Sequence, residues 1–256
     1  MGRRAVSLED DERWVFNRLA QAYASRPPYP EALVDRLVAL SGGAGARVAD
    51  LGAGTGHLAL PLCARGLWVT AVEPAKAMLE VLLSRRPSGA RLRAVHARAE
   101  ATGLAGSCFE LVLLADAAQW VDHELTGREV ARLLSPGGVL ALVEARFSKT
   151  PFMDGLSAAL TRRNPRARGR KVSGHRELFA VAMPGFVPAA ETYRQECRLD
   201  EEALEGLLRS LSYVGPALGP AALGSLFDEV RRLARDAGSA AFSRDLTLHF
   251  GARPAP

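Results

Sequence analysis

Apolar and polar positions follow one period in the first part of this 256-residue chain and another period from residue 46 onward. In the first part, apolar residues recur at helical spacing in the stretches LEDDERWVFNRLAQAY and PEALVDRLVAL. The prolines of RPPYP separate the two stretches, because paired prolines cannot continue a helix. The pattern therefore predicts two helices, with Ser7 as the N-cap of the first and Pro30 as the first residue of the second.

From residue 46 onward, short apolar runs alternate with amphipathic stretches. Strands are predicted in ARVADLG, LWVTAVE, RLRAVHA, FELVLLA and GVLALVEARF, and helices in GHLALPLCARG, AKAMLEVLLSRR and ELTGREVARLL. Strands this apolar, separated by helices, indicate a parallel sheet that is covered on both faces. Two late stretches, AAETYRQECRL and SRDLTLHFGAR, alternate like strands and are expected to complete the sheet edge. The predicted fold is α/β, with a seven-stranded, mostly parallel sheet, helices on both faces and a helical cap.

We expect four segments along the chain. They are an N-terminal helical lid (1–45), a ligand-binding core (46–150), a helical cap with a basic loop (151–186), and C-terminal strands and helices that complete the sheet and the cap (187–256). The chain has a net charge of +5, which would suit a nucleic-acid-binding protein if the charge were spread over one face. The basic loop decides whether it is.

The positive charge is instead concentrated in one segment. Residues 161–176 hold seven Lys or Arg and no acid, which leaves 26 basic against 28 acidic residues elsewhere. This pattern is typical of a solvated connection, and the alternatives are a site for an acidic substrate or a nucleic-acid contact. Arg166, Arg168 and Arg170 form the centre of a hypothetical entry site for the substrate.

The sequence also bounds the compartment. No apolar run approaches the roughly 18 residues that span a bilayer, and the start of the chain lacks the apolar middle of a secretory signal. Cys63, Cys108 and Cys197 are far apart and odd in number, which fits neither a disulfide framework nor a zinc site. We therefore expect a cytoplasmic protein with reduced, buried thiols, no membrane partner and no metal.

The strongest chemical signal is the turn VADLGAGTGHLALPL. Gly52, Gly54 and Gly56 follow Asp50 as D-x-G-x-G-x-G between a predicted strand and a predicted helix. Glycine is needed where φ must be positive or where the backbone must approach a ligand closely. The spacing differs from the dinucleotide pattern G-x-G-x-x-G, and no Lys-Ser or Lys-Thr follows as in a phosphate loop. The carboxylate of Asp50 would repel a pyrophosphate but could hold an ammonium group.

A second acidic residue, Glu73, ends the second predicted strand, where a carboxylate can accept both hydroxyls of a ribose. Ligands of open parallel sheets bind outside the carboxyl ends of the strands. The residues expected around that crevice are Gly52, Glu73, Ala99 and Gln119. An amino-acid end at Asp50 and a nucleoside end at Glu73 together describe S-adenosylmethionine.

The chain resembles the class I S-adenosylmethionine-dependent methyltransferases, which have a Rossmann-like fold. The motifs that carry the resemblance are YASRPPYP, VADLGAGTGHLALPL, AVEPAKAMLE, ARAEATGL, LLSPGGVLALVE and SLSYVG. Within this class the chain is similar to a group that includes trans-aconitate methyltransferase-like enzymes and natural-product tailoring enzymes. The resemblance implies S-adenosylmethionine as cofactor, S-adenosylhomocysteine as product and a small-molecule acceptor.

The resemblance also implies which residues bind the cofactor. They are Tyr23, Arg26, Asp50, Gly52, Ala53, Gly54, Glu73, Pro74, Ala99, Glu100 and Ala115. In this assignment the glycine turn lines the methionine part and Ala115 lies under the sulfonium. Tyr23, Arg26 and Tyr29 would form a lid. Tyr29, Trp120 and Tyr213 are the expected substrate-binding residues.

Gln119 follows the fourth predicted strand, where the methyl group would be presented. The resembling group usually has His before the Trp at this point, whereas a glutamine amide can orient a nucleophile but cannot act as a base at neutral pH. We therefore assign Gln119 as the catalytic residue and expect an amine or an already acidic hydroxyl as acceptor. Other candidate bases are His57, Asp122, His123, His175, Tyr213 and His249.

Three other functions stay open at this point. An NAD-dependent oxidoreductase would share the architecture, but the glycine spacing and Asp50 disfavour it. A methyltransferase acting on RNA, DNA or protein would share the cofactor. A regulator that binds S-adenosylmethionine without catalysis would share the architecture and the cofactor. The sequence favours methyl transfer to oxygen or nitrogen of a small molecule in natural-product biosynthesis, by a monomer or homodimer that does not bind nucleic acid.

Overall fold

A computed structural model of the chain describes residues 15–165, 174–238 and 240–254. Seven strands form one sheet in the order β3-β2-β1-β4-β5-β7-β6. The strands are β1 (Arg47–Leu51), β2 (Trp68–Val72), β3 (Leu92–Val95), β4 (Phe109–Ala115), β5 (Leu134–Phe147), β6 (Ala189–Arg198) and β7 (Ala241–Ala252). The first five pair in parallel, while β7 runs antiparallel to both β5 and β6. The predicted seven-stranded, mostly parallel sheet is confirmed.

Helices connect the strands and cover both faces of the sheet. They are α1 (Val15–Tyr23), α2 (Glu31–Leu40), α3 (Ala59–Ala64), α4 (Lys76–Ser84), α5 (His123–Leu133), α6 (Pro151–Arg163), α7 (His175–Ala182), α8 (Glu201–Arg209) and α9 (Pro220–Asp236). A short 3-10 helix (Ala118–Trp120) follows β4. Within the described ranges, no helix is both long enough and apolar enough to cross a membrane.

Apolar side chains form one buried layer on each face of the sheet. On one face, α2 and α3 pack on the strands through residues such as Leu37 and Leu62, neither of which is exposed. On the other face, α5 and α7 contribute Leu133 and Phe179. Burying an apolar side chain of this size stabilises the fold by about 1.5–3 kcal/mol. These two layers fix the sheet and, with it, the position of every strand end.

A third apolar cluster lies beside the sheet and forms the cap. It joins α6, α8 and α9 through buried residues that include Phe152, Leu208 and Phe227. The helix α7, which the sequence assigned to the cap, instead packs against α5 on the sheet. Its apolar residues Leu178 and Phe179 are buried there, so α7 belongs to the layer on the sheet and not to the cap.

Some boundaries differ from the sequence prediction for local reasons. The helix α3 begins at Ala59 rather than inside the glycine turn, because Gly56 has a positive φ of 85° that a helix cannot contain. The strand β5 begins at Leu134, four residues earlier than predicted, with a register irregularity against β4. Ser7, the predicted N-cap, lies outside the described residues.

The basic segment is described only at its two ends. Arg162 and Arg163, on α6, both form ion pairs with Glu229 on α9, and the Arg163 pair is 2.6 Å long. These ion pairs join α6 to α9, so the first two arginines of the segment have an acidic partner within the cap. Arg166, Arg168 and Arg170, on which the hypothesis of a substrate entry site depends, lie outside the described residues.

Candidate functional site

The carboxyl ends of β1, β2 and β4 meet at a turn that requires glycine. Gly52 directly follows β1 with a φ of 78°, a conformation that side chains disfavour. Its N–H donates to the Val72 carbonyl over 2.8 Å. A Cβ added to Gly52 would lie only 2.8 Å from the Cβ of Ala117. The backbone therefore passes between two strand ends with no room for a side chain.

Glu73 directly follows β2 and is almost fully buried, with 6% of its surface exposed. Its two carboxylate oxygens accept hydrogen bonds from the N–H groups of Gly54 and Ala75, each over 2.9 Å. Burial raises the pKa of this carboxyl above its usual value. The backbone thus fixes the orientation of Glu73, and each oxygen keeps a lone pair that could accept a ribose hydroxyl.

Asp50, on β1, is a buried carboxyl beside the same turn. Burial, followed by the neighbouring charge of Glu73, raises its pKa from 3.8 to about 7. It forms no ion pair within 4.0 Å among the residues that the structure describes. A carboxyl in this state is suited to pairing with a cationic ligand, which would restore its ionised form.

A cavity of about 610 Å³, open to solvent, lies at Trp120 and is called here the Trp120 cavity. The rings of Phe16 and Trp120 close one side, packing edge to face with centroids 5.0 Å apart. Its lining residues are Phe16, Tyr23, Gly52, Gly54, Glu73, Pro74, Met78, Ala99, Glu100, Ala115, Asp116, Ala117, Trp120 and Val121.

A second cavity, of about 480 Å³, adjoins the first and is called here the Tyr29 cavity. Its lining residues are Tyr23, Arg26, Pro27, Tyr29, Asp50, Gly52, Ala53, Gly54, His57, Leu58, Ala115, Asp116 and Arg244. The two cavities share five residues: Tyr23, Gly52, Gly54, Ala115 and Asp116. They are therefore two halves of one cleft, and every predicted site residue except Gln119 and Tyr213 lines one half or both.

The segment between α1 and α2 covers the Tyr29 cavity and is held by two arginines. The guanidinium of Arg26 lies 3.9 Å from the ring centroid of Tyr23, and its Nε donates to the Ser210 hydroxyl over 2.9 Å. The buried guanidinium of Arg244, on β7, donates to the two Pro27–Pro28 carbonyls over 2.9 and 2.6 Å. The RPPYP motif is thus held to β7 by Arg244 and to Ser210, which follows α8, by Arg26.

Gln119 and Tyr213 are the two predicted residues that the structure does not bring to the cleft. The Nε2 of Gln119 donates to the Asp116 carbonyl over 2.9 Å, so this amide closes its own turn. Tyr213 packs among the apolar residues of the cap, and burial raises the pKa of its hydroxyl. Neither side chain lines either cavity.

Of the candidate bases, His57 lines the Tyr29 cavity. Burial, followed by the charge of Arg85, lowers its pKa to about 4, so it is neutral and weakly basic near pH 7. Asp122 and His123 instead start α5. The carboxylate of Asp122 caps the helix by accepting two backbone N–H groups, and His123 Nε2 lies 2.9 Å from a backbone carbonyl. Both have structural partners outside the cavities.

His175 and His249 lie together, away from both cavities. Their rings stack with centroids 4.0 Å apart and 7° between the planes, and Nδ1 of His175 lies 3.0 Å from the buried Glu144 carboxylate. Possible metal-ligand atoms of the three residues lie within 4.8 Å of one another. Imidazole lone pairs lie in the ring plane, so two parallel rings cannot both face one ion unless a ring rotates. We interpret the group as a hydrogen-bonded partner set for a buried carboxylate.

Two polar residues of the cleft were missed by the sequence interpretation: Asp116 and Arg244. Asp116 directly follows β4, so its position at a strand end was a usable signal. Arg244 had no local signal, because it contacts a segment more than 200 positions earlier in the chain. Only the antiparallel placement of β7 beside β5 brings it to the lid.

This arrangement has counterparts among known proteins. Residues 49–142 match the family model described as a methyltransferase domain. Over these residues the chain is similar to methyltransferase domains. The match begins in β1 and ends in β5, and it includes Asp50, the glycine turn, Glu73 and Asp116. It supports S-adenosylmethionine as the cofactor.

Similar proteins extend the comparison over part of the chain. The uncharacterized methyltransferase Rv3342 of Mycobacterium tuberculosis is 42% identical over 142 residues, which is 55% of this chain and 54% of that protein. A demethylmenaquinone methyltransferase of Clavibacter sepedonicus is 35% identical over 109 residues, which is 42% of this chain and 44% of that protein. The chain thus matches about half the length of these relatives or less.

Solved structures with low sequence identity share the fold. The YcgJ protein of Bacillus subtilis has a TM-score of 0.58 at 19% identity, covering 89% of this chain and all of that chain. Phosphoethanolamine N-methyltransferase 2 of Haemonchus contortus has a TM-score of 0.57 at 16% identity, covering 99% of this chain and 61% of that chain. The Rossmann-like fold implied by the resemblance is confirmed.

Proposed function

We propose that this protein transfers a methyl group from S-adenosylmethionine to an oxygen or nitrogen of a small molecule. The observation that carries the proposal is the two-part cleft, in which Glu73 stands at one end and Asp50 at the other of a glycine turn. A carboxylate at each end fits a ligand with a ribose and an ammonium group. Gly52 lines both cavities, which fits close contact between its backbone and that ligand.

The proposed cofactor would span both cavities. In the Trp120 cavity, Glu73 would accept the ribose hydroxyls, while Pro74, Ala99 and Glu100 flank the adenine. In the Tyr29 cavity, Asp50 would pair with the ammonium group. When bound, S-adenosylmethionine supplies a methyl group on a positively charged sulfur, which is already activated for transfer.

The further contributions to methyl transfer come from residues that position groups and exclude water. Holding a nucleophile in line with the methyl group can account for about 7–11 kcal/mol of the barrier in favourable cases. Ala115 and Asp116 stand at the junction of the two cavities, where such alignment would occur. The lid of Tyr23, Arg26 and Tyr29 would close over that junction and exclude water.

We further propose that the acceptor is a small molecule of natural-product biosynthesis and that the protein acts in the cytoplasm as a monomer or homodimer. The position of Tyr23, Arg26 and Tyr29 in the lining of the Tyr29 cavity supports a small acceptor. Arg162 and Arg163, at the described start of the basic segment, form ion pairs with Glu229. These pairs support a role in joining α6 to α9 and not in binding nucleic acid. The resemblance to tailoring enzymes supports the biosynthetic assignment.

Incubation with S-adenosylmethionine that carries a deuterated methyl group tests this function. The panel should contain small amines, phenols and carboxylic acids, alongside tRNA, duplex DNA and an unrelated protein. We expect labelled product only among the small molecules, with one S-adenosylhomocysteine formed per label transferred, as measured by mass spectrometry. Label in RNA, DNA or protein, with none in a small molecule, would overturn the proposed acceptor class.

A further inference from the structure

Asp116 occupies an unusual backbone position at the junction of the two cavities. Its φ is 50°, a left-handed conformation that aspartate tolerates better than most residues. Three contacts hold the turn: the Asp116 N–H donates to the Val143 carbonyl, the Gln119 amide donates to the Asp116 carbonyl, and Asp116 Oδ1 accepts from the Ala145 N–H, each over 2.9 Å. Such strained positions concentrate at functional sites.

The carboxylate of Asp116 is held by neutral donors and has no cationic partner. Its Oδ2 accepts a hydrogen bond from the Tyr29 hydroxyl over 3.1 Å. Among the described residues, no Lys, Arg or His nitrogen lies within 4.0 Å of it. The nearby guanidinium groups of Arg26 and Arg244 donate instead to Ser210, Gln195 and lid carbonyls. A carboxylate with no ion-pair partner among the described residues therefore lines both cavities.

We propose that Asp116 is a catalytic residue and that the acceptor is a primary or secondary amine. This inference rests on the proposed methyl transfer and adds the substrate class to it. A carboxylate attracts an ammonium group and accepts a hydrogen bond from an N–H, and both contacts are stronger for charged partners. The same charge repels a carboxylate or phenolate acceptor. Asp116 thus selects nitrogen over acidic oxygen.

The chemical step balances with this carboxylate as the proton acceptor. The bound ammonium group first gives one proton to solvent through the carboxylate of Asp116, which leaves a neutral amine with a lone pair. That lone pair forms the new bond to the methyl carbon, while the carbon–sulfur bond breaks and its electron pair stays on sulfur. The nitrogen then carries one proton more than the neutral product. That proton passes to the carboxylate of Asp116 and on to solvent, which returns the residue to its charged form.

Aromatic rings around Asp116 suit the same ligand. Tyr23, Tyr29 and His57 all line the Tyr29 cavity, where the guanidinium groups of Arg26 and Arg244 already lie over the two tyrosine faces. Burial, followed by the charge of Asp116, raises the pKa of Tyr29 well above its usual value. Its hydroxyl therefore stays protonated and continues to donate to the carboxylate. The rings add apolar surface beside the carboxylate, which favours an amine attached to an apolar or aromatic group.

Benzylamine, benzyl alcohol and benzoate form a matched probe set, because they share a skeleton and differ in the polar group. Each is titrated by calorimetry into the protein saturated with S-adenosylhomocysteine. We expect benzylamine to bind at least about tenfold more tightly than the other two. The variant Asp116→Asn should lose that preference and lower kcat/KM for benzylamine about 100-fold. Asp245→Asn, an exposed aspartate beside Arg194, is the matched control and should change neither.

The titration of S-adenosylhomocysteine itself separates this inference from the proposed function. Asp116→Asn should bind that product with an affinity within about threefold of the unchanged protein. If the unchanged protein binds it but shows no benzylamine binding, equal affinity for benzoate, or an amine preference that survives in Asp116→Asn, the assignment of Asp116 is overturned while methyl transfer stands. If the unchanged protein does not bind S-adenosylhomocysteine, the proposed function itself fails.

Discussion

Replacing Gly52 with alanine should weaken the binding of S-adenosylhomocysteine on the order of 100-fold, a loss of about 2.8 kcal/mol. The added methyl group would stand 2.8 Å from the Cβ of Ala117, so either the glycine turn or the wall of the Trp120 cavity must move. Movement of the turn would also displace the N–H of Gly54 from Glu73, to which it donates over 2.9 Å. The two ends of the cleft would then lose their alignment.

Gly89 supplies a matched control for this substitution. Its φ of 76° is almost equal to the 78° of Gly52, but an added Cβ would meet no atom within 4 Å. Both alanine variants pay a similar backbone cost, about 1–2 kcal/mol for a left-handed residue. Calorimetric titration should therefore find near-normal affinity in Gly89→Ala and an affinity about 100-fold weaker in Gly52→Ala. Equal affinities in the two folded variants would contradict close contact between the turn and the cofactor.

Raising the pH from about 5 to about 7.5 should tighten the binding of S-adenosylhomocysteine on the order of 50-fold. Asp50 has a pKa of about 7 in the ligand-free protein, so it is mostly neutral at the lower pH and mostly ionised at the higher. Only the ionised carboxyl can pair with an ammonium group. His57 does not contribute over this range, because burial lowers its pKa to about 4 and it stays neutral throughout.

The sign of the accompanying stability change follows from the same pKa. The folded protein holds the Asp50 proton more tightly than the unfolded chain, whose carboxyl has the ordinary value of 3.8. The contribution of this group to the free energy of unfolding therefore falls as the pH rises from about 4 to about 7. A bound ammonium group offsets this loss by pairing with the ionised form.

The variants Asp50→Asn and Asp35→Asn separate this effect from general charge loss. Asp35 is an exposed aspartate on α2 that pairs with Arg65, far from the cleft. Calorimetry across the pH range should show weak and nearly pH-independent affinity in Asp50→Asn, because an amide cannot ionise. Asp35→Asn should keep the full pH dependence. An unchanged protein whose affinity did not vary with pH would show that Asp50 does not contact the ammonium group.

The sheet and several residues of the cleft were predictable because short stretches of sequence determine their positions. Apolar strands, helical spacing and turn glycines fix the parallel sheet, and residues at the carboxyl ends of its strands must meet. Asp50, Gly52 and Glu73 could be assigned for this reason. Each owes its place to the strand that it ends or follows.

The catalytic assignment needed the structure, because it depends on how one turn folds. Gln119 and Asp116 both follow β4, and the sequence gives no sign that the Gln119 amide is used by the Asp116 carbonyl. The orientation of Asp116 depends on its left-handed backbone and on hydrogen bonds from Tyr29 and Ala145. These partners come from distant parts of the chain, so no local pattern could reveal them.

The cleft formed by the two cavities is expected to bind an adenosyl amino acid. The most direct test of this expectation is calorimetric titration of the purified protein with S-adenosylhomocysteine and, separately, with NAD⁺. We predict one S-adenosylhomocysteine bound per chain and no binding of NAD⁺, because Asp50 would repel a pyrophosphate at the glycine turn. Binding of NAD⁺, or no binding of S-adenosylhomocysteine, would contradict the account.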